Sequence, residues 1–228
     1  LQIDANYFWI YNSLGTVESA KGNFLKSIEH YQTCIDKKPP KLGAPYNNIG
    51  EAYSLLGDYE KSIEFLNKAI ENKSENANTV LGSIFLKLGK LQDAEHLLLQ
   101  AIEKQKYKST PKLYLAVTYL YLGETVKANN YFNDVITFTD KIPSSDNQFN
   151  KVTALLAMQK SEEAESMLKQ LSSRFKITQY AIKSFMSDLT VLESAPSNSE
   201  SVKEFIKKAE EIFDTMKRKT AANIRLKE

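Results

Sequence analysis

Apolar residues recur along this chain at helical spacing, in stretches closed by glycine. Gly22, Gly57, Gly89 and Gly123 each end one such stretch and precede another, at spacings of 35, 32 and 34 residues. Seven residues before the first three stand Gly15, Gly50 and Gly82, with Ala116 before the fourth. Five residues after each turn glycine comes a small residue: Ser27, Ser62, Ala94, Ala128. Four further on sits a large apolar one (Tyr31, Leu66, Leu98, Phe132), and three beyond that a smaller one (Cys34, Ala69, Ala101, Val135). The pattern predicts a helical hairpin repeated down the chain, with Pro45–Lys73 as its clearest copy. The inner glycine lets the two helices of a hairpin approach, and the turn glycine takes the left-handed conformation that ends a helix. The small residue nests under the first helix, and the large one fills the gap toward the next hairpin.

These slots carry a family resemblance. The second copy reads Tyr46-Asn47-Asn48-Ile49-Gly50-Glu51-Ala52-Tyr53, then Ser62 and Leu66; the first reads Tyr11-Asn12-Ser13-Leu14-Gly15, then Ser27, Tyr31 and Pro39. The third supplies Leu81-Gly82-Ser83-Ile84-Phe85 and the fourth Leu115-Ala116-Val117-Thr118-Tyr119. This resembles the tetratricopeptide repeat, whose signature is W-x2-L-G-x2-Y, then A-x3-F, then P over about 34 residues. Glu18 departs from it, standing where a tyrosine is usual. A degenerate fifth copy has Gln159 at the turn and Val152 at the inner slot, while Leu155, Ala164, Leu168 and Leu171 keep theirs.

The resemblance implies an all-α fold, a right-handed α-solenoid of stacked helical hairpins over residues 1–176, in copies at 8–41, 43–74, 75–108, 109–142 and 145–176. Beyond Phe175 the signature stops, but Ile177, Tyr180, Ala181, Phe185, Leu189 and Leu192 continue a helical stripe. After the break at Ala195-Pro196-Ser197-Asn198-Ser199, a second stripe runs from Val202 to Met216, with Ser201 and Glu204 spaced as a capping box. Residues 177–228 are therefore expected to form a C-terminal capping helix pair continuous with the array, since an open solenoid end exposes apolar surface.

Composition narrows the function classes. Thirty basic residues nearly balance 28 acidic ones, so no strong field for nucleic acid or lipid is implied, and no nucleic-acid partner is expected. Lys217–Glu228 holds five basic residues and one acid, which suits a helix C-terminus. A single cysteine, Cys34, excludes an internal disulfide framework and suits a reducing, cytoplasmic setting. No apolar run approaches the roughly 18–20 residues that cross a bilayer. The chain begins at Leu1, which reads as a processed or excised piece.

In the family, first helices line a concave face, and carrying its groove positions onto this sequence gives the candidate site. They are Asn12 and Thr16; then Asn47, Asn48, Glu51 and Ser54; then Asn76, Thr79, Ser83 and Lys87; then Leu113, Tyr114, Val117 and Tyr121. Asparagines can donate and accept at once, so Asn12, Asn47, Asn48 and Asn76 are read as holding a peptide backbone. Tyr114 and Tyr121 would take an apolar side chain. The competing reading is that these asparagines are ordinary solvated helix residues. The family's clamp for chaperone C-terminal carboxylates uses Lys, Asn, Asn, Lys and Arg. Asn12, Thr16, Asn48, Asn76 and Val80 stand in those places, so carboxylate-clamp binding is not expected. His30, His96 and Cys34 form no nucleophile or metal motif, and neither catalysis nor a cofactor is expected. The expectation is a non-catalytic scaffold that recognises an extended peptide or partner segment. Its alternative is the peptide-sensing half of a larger bacterial regulator, with the effector domain outside this sequence.

Overall fold

The computed structural model describes residues 8–105, 108–174, 177–196 and 199–225. Among them are twelve helices and no strand. Ten pair as hairpins: α1 (Phe8–Ala20) with α2 (Phe24–Asp36), α3 (Gly43–Leu56) with α4 (Tyr59–Glu71), α5 (Ala77–Lys87) with α6 (Leu91–Lys104), α7 (Thr110–Tyr121) with α8 (Thr125–Lys141), and α9 (Ser145–Ala157) with α10 (Ser161–Arg174). Each second helix also packs on the first helix of the next hairpin. The first helices touch one another in a row, α1–α3–α5–α7–α9. That row forms one continuous face of the array.

The slot chemistry explains the hairpins. Leu66, Leu98, Phe132 and Leu168 stand in the large slot and are all fully buried. Ser62 Oγ donates to Gly50 O at 2.6 Å, tying α4 to the closest approach of α3. A Cβ built on Gly50 would stand 2.6 Å from Leu66 Cγ, too close for any packed pair. Gly50→Ala should therefore lower stability by about 1–2 kcal/mol, overpacking outweighing the gain in helix propensity. A chemical-denaturation midpoint equal to or above that of the parent would contradict this. At the turn of the fifth hairpin Gln159 has φ +61°, the same left-handed conformation that Gly57 takes at φ +85°.

The remaining helices are α11 (Gln179–Glu193) and α12 (Ser199–Arg225). α12 packs on α10 and α11, as a cap would. α11 follows a longer path. It packs against α9 and α12, then runs along the row of first helices as far as α3 and α1. Lys183 Nζ stands over the Phe24 ring, 4.8 Å from its centroid, at the far end of the array. The expected capping box also moves: α12 already begins at Ser199, so Ser201 lies inside the helix. Phe175, Ser197, Asn198 and the last three residues of the basic tail lie outside the described residues.

Candidate functional site

α11 has two faces, and their chemistry determines its seat. Phe185, Leu189 and Leu192 are buried apolar residues, and the Phe185 ring lies 4.7 Å from Phe149 of α9. Tyr180, Ser184, Ser187, Asp188 and Val191 form a second stripe at helical spacing. That stripe meets the first helices through polar contacts. Lys87 Nζ donates to Ser187 Oγ at 2.9 Å, and the Tyr114 hydroxyl donates to Asp188 Oδ1 at 2.8 Å. The Tyr121 hydroxyl donates to the Val191 carbonyl at 2.7 Å.

Between α11 and the row of first helices remains a cavity of about 410 Å³. Seven of the sequence-derived groove residues line it: Glu51 and Ser54 from α3, Asn76 before α5, Thr79, Ser83 and Lys87 from α5, and Tyr114 from α7. Val117 is buried at 3 % exposure, and Tyr121 is engaged by α11. The apolar patch expected for a partner side chain is thus in contact with the chain's own helix.

Asn12, Thr16, Asn47 and Asn48 do not reach the cavity. Asn48 Nδ2 donates to Asn12 Oδ1 at 3.4 Å, a contact across neighbouring hairpins. Thr16 Oγ1 donates to the Asn12 carbonyl at 3.0 Å. Asn47 is 3 % exposed and one turn before Gly50; its Oδ1 has no hydrogen-bond partner. Asn76 Oδ1 accepts from Lys108 Nζ at 2.8 Å. Leu113 is fully buried.

Burial governs the electrostatics. It pushes Glu51 up to about 7, against the Tyr180 hydroxyl and the charge of Lys108, which pull it down. It pushes Asp188 up to about 6, opposed by Lys87 and by the Tyr114 hydrogen bond. Lys87 is lowered for the same reason, with Asp188 acting the other way. Burial raises Tyr114 and Tyr180 well above the usual phenol range, and Asp188 and Glu51 respectively are the next contributors.

Sequence reasoning missed the rest of the lining. Carrying the groove register into the fifth hairpin would have found Asp146, Phe149 and Asn150 of α9. Asn150 Nδ2 donates to Ser109 Oγ at 2.8 Å, and Ser109 Oγ donates to Asn147 Oδ1 at 2.8 Å. Gln105 Nε2 donates to Thr79 Oγ1 at 2.8 Å. These buried amides hold the α7 and α9 starts and the α6–α7 connection in place. Away from the cavity, Cys34 is fully buried, which raises its thiol pKa, and His96 pairs with Gln100 at 2.9 Å on the surface.

Hairpins stacked so that their first helices make one face define an α-solenoid of helical repeats. A family model described as tetratricopeptide repeat matches residues 6–75, and that of the fourth ARM domain of tetratricopeptide repeat protein 21 matches residues 46–190. The chain belongs to the tetratricopeptide-repeat family. No curated protein matches it. Among solved structures, a thermophilic tetratricopeptide-repeat protein from Thermus thermophilus is similar at TM-score 0.62 and 15% identity, over 80% of this chain and 99% of that one. Pseudomonas aeruginosa PilF is similar at TM-score 0.57 and 13% identity, over 92% and 90% of the two chains. A tetratricopeptide-repeat protein from Parabacteroides merdae is similar at TM-score 0.54 and 17% identity, over 91% and 86%. The fold is that of a protein- or peptide-binding scaffold, and members of the family are generally non-catalytic. Among the described residues, no helix is long and apolar enough to cross a membrane.

Proposed function

We propose that this chain is a non-catalytic scaffold that receives a short extended segment of a partner protein at its concave face, in the space α11 leaves beside α5, α7 and α9. The observation that carries this reading is the gathering of Glu51, Asn76, Thr79, Ser83 and Tyr114 around one cavity of about 410 Å³. That size lies within the roughly 300–1,000 Å³ of ordinary ligand sites, and its amides and hydroxyls suit a peptide backbone. The five carboxylate-clamp positions carry no cation, so a chaperone C-terminus is not the expected ligand. Unlike an open groove, this site admits a segment only beside α11.

Selection from a random phage-displayed peptide library against the immobilised protein tests the reading. Selected peptides should lose about 2- to 10-fold in affinity with Asn76→Ala, the range of one net hydrogen bond. No enrichment, or peptides indifferent to both Asn76→Ala and Glu51→Gln, would remove the basis for it.

A further inference from the structure

We propose that the cavity recognises an organic cation, the guanidinium or ammonium of an arginine or lysine side chain on the partner segment. The inference rests on the concave-face reading above and names the chemistry that the site selects.

Two carboxyl groups enter the same space from opposite walls, Glu51 from α3 and Asp188 from α11. The partly exposed Tyr114 and Tyr180 line it too, with the buried Phe149 and Phe185 packed behind them. Carboxylates give charge-assisted hydrogen bonds, and aromatic faces attract a cation through their quadrupoles. Guanidinium and ammonium groups satisfy both surfaces at once. A carboxylate ligand would instead add like charge beside Glu51 and Asp188.

Two ammonium groups and a third carboxyl group also face the space. Lys87 of α5 donates to Ser187 at 2.9 Å, and Lys108 of the α6–α7 connection donates to Asn76 at 2.8 Å. Asp146 of α9 supplies a third carboxyl group. Among the described lining residues, the carboxyl groups of Glu51 and Asp188 are the two that face each other across the space from α3 and α11. Burial holds Glu51 near 7 and Asp188 near 6, with Lys108 and Lys87 respectively acting the other way. A bound cation would stabilise their ionised forms, so affinity should fall as the solution is acidified.

Isothermal titration with N-acetyl-arginine methylamide and N-acetyl-lysine methylamide tests this, with N-acetyl-citrulline methylamide as the neutral isostere. The basic probes should bind at least about tenfold more tightly than citrulline, and about tenfold more weakly at about pH 5.5 than at about pH 8. Glu51→Gln and Asp188→Asn should each weaken them about tenfold while the far-ultraviolet circular dichroism is unchanged. Equal binding of citrulline overturns the proposal. So does undetectable binding of both basic probes, or binding indifferent to both substitutions. Library peptides that bind without any lysine or arginine and ignore Glu51→Gln, yet lose affinity with Asn76→Ala, sink this inference and leave the concave-face reading standing. A basic probe that binds where no library peptide does sinks the peptide reading and leaves a site for small cations.

Discussion

Phe185→Ala should destabilise the protein by about 3–5 kcal/mol and loosen α11 from the concave face before the hairpins open. Phe185 is 2 % exposed, with its ring 4.7 Å from Phe149 and 6.2 Å from Phe213. It joins α11 to both α9 and α12, so truncation leaves a cavity at the junction of three helices. Only neighbouring apolar residues such as Leu189 and Leu192 would then hold α11 on that side. Its other face is held by Tyr114, Tyr121 and Lys87, through hydrogen bonds worth about 1 kcal/mol net apiece. Hydrogen exchange would separate the two faces. Amides of residues 182–192 should exchange faster in the variant, while those of α3 to α6 stay protected. A uniform rise across the array, or a loss of stability under about 1 kcal/mol, would show that α11 is not an independent unit.

The repeat was legible because its slots are local. Leu66, Leu98, Phe132 and Leu168 recur at one register with a small residue four positions before each, and all four are fully buried. Gln159 was legible as a turn even without glycine, since the register alone placed it there, and its φ is +61°. The seat of α11 was not. Tyr180 reads as part of the apolar stripe, and Ser184, Ser187 and Asp188 carry no apolar signal; a polar stripe gives no hint that it will meet another polar surface. No local rule says where a helix goes after a repeat signature ends. The candidate site divides the same way. The groove register found Glu51, Asn76, Thr79 and Ser83, which one array of first helices supplies. It missed Asp188, which comes from a helix more than 130 residues along the chain from Glu51. Asn12 and Asn48 do not join them; they meet each other across neighbouring hairpins.

Glu51→Gln should make the fold more stable at alkaline pH while removing the anion that the proposed cation needs. Burial raises Glu51 from its usual 4.5 to about 7, so between those values the folded chain holds a proton that the unfolded chain has released. The contribution to stability is fully present below 4.5 and is lost as the pH rises through about 7. Asp188, raised from 3.8 to about 6, acts in the same direction over a lower window. Glu18 opposes both. Its hydrogen bonds to Lys21 and then Asn23 lower it from 4.5 to about 2, so its contribution is present above 4.5 and is lost as the pH falls through about 2. From these three groups stability should therefore peak at about pH 4 and decline toward pH 8, with about 2–3 kcal/mol lost between about pH 5 and pH 8 from Glu51 alone. A neutral glutamine keeps an acceptor near Tyr180 without the buried charge. The variant should recover most of that loss at pH 8 and leave a shallower slope from Asp188. Urea unfolding of both proteins at about pH 5, 6.5 and 8 measures it. A parent curve that is flat across this range, or a variant with the parent's slope, would show that Glu51 is solvated rather than enclosed. Water would then reach the carboxyl group freely, and an organic cation would gain little by displacing it.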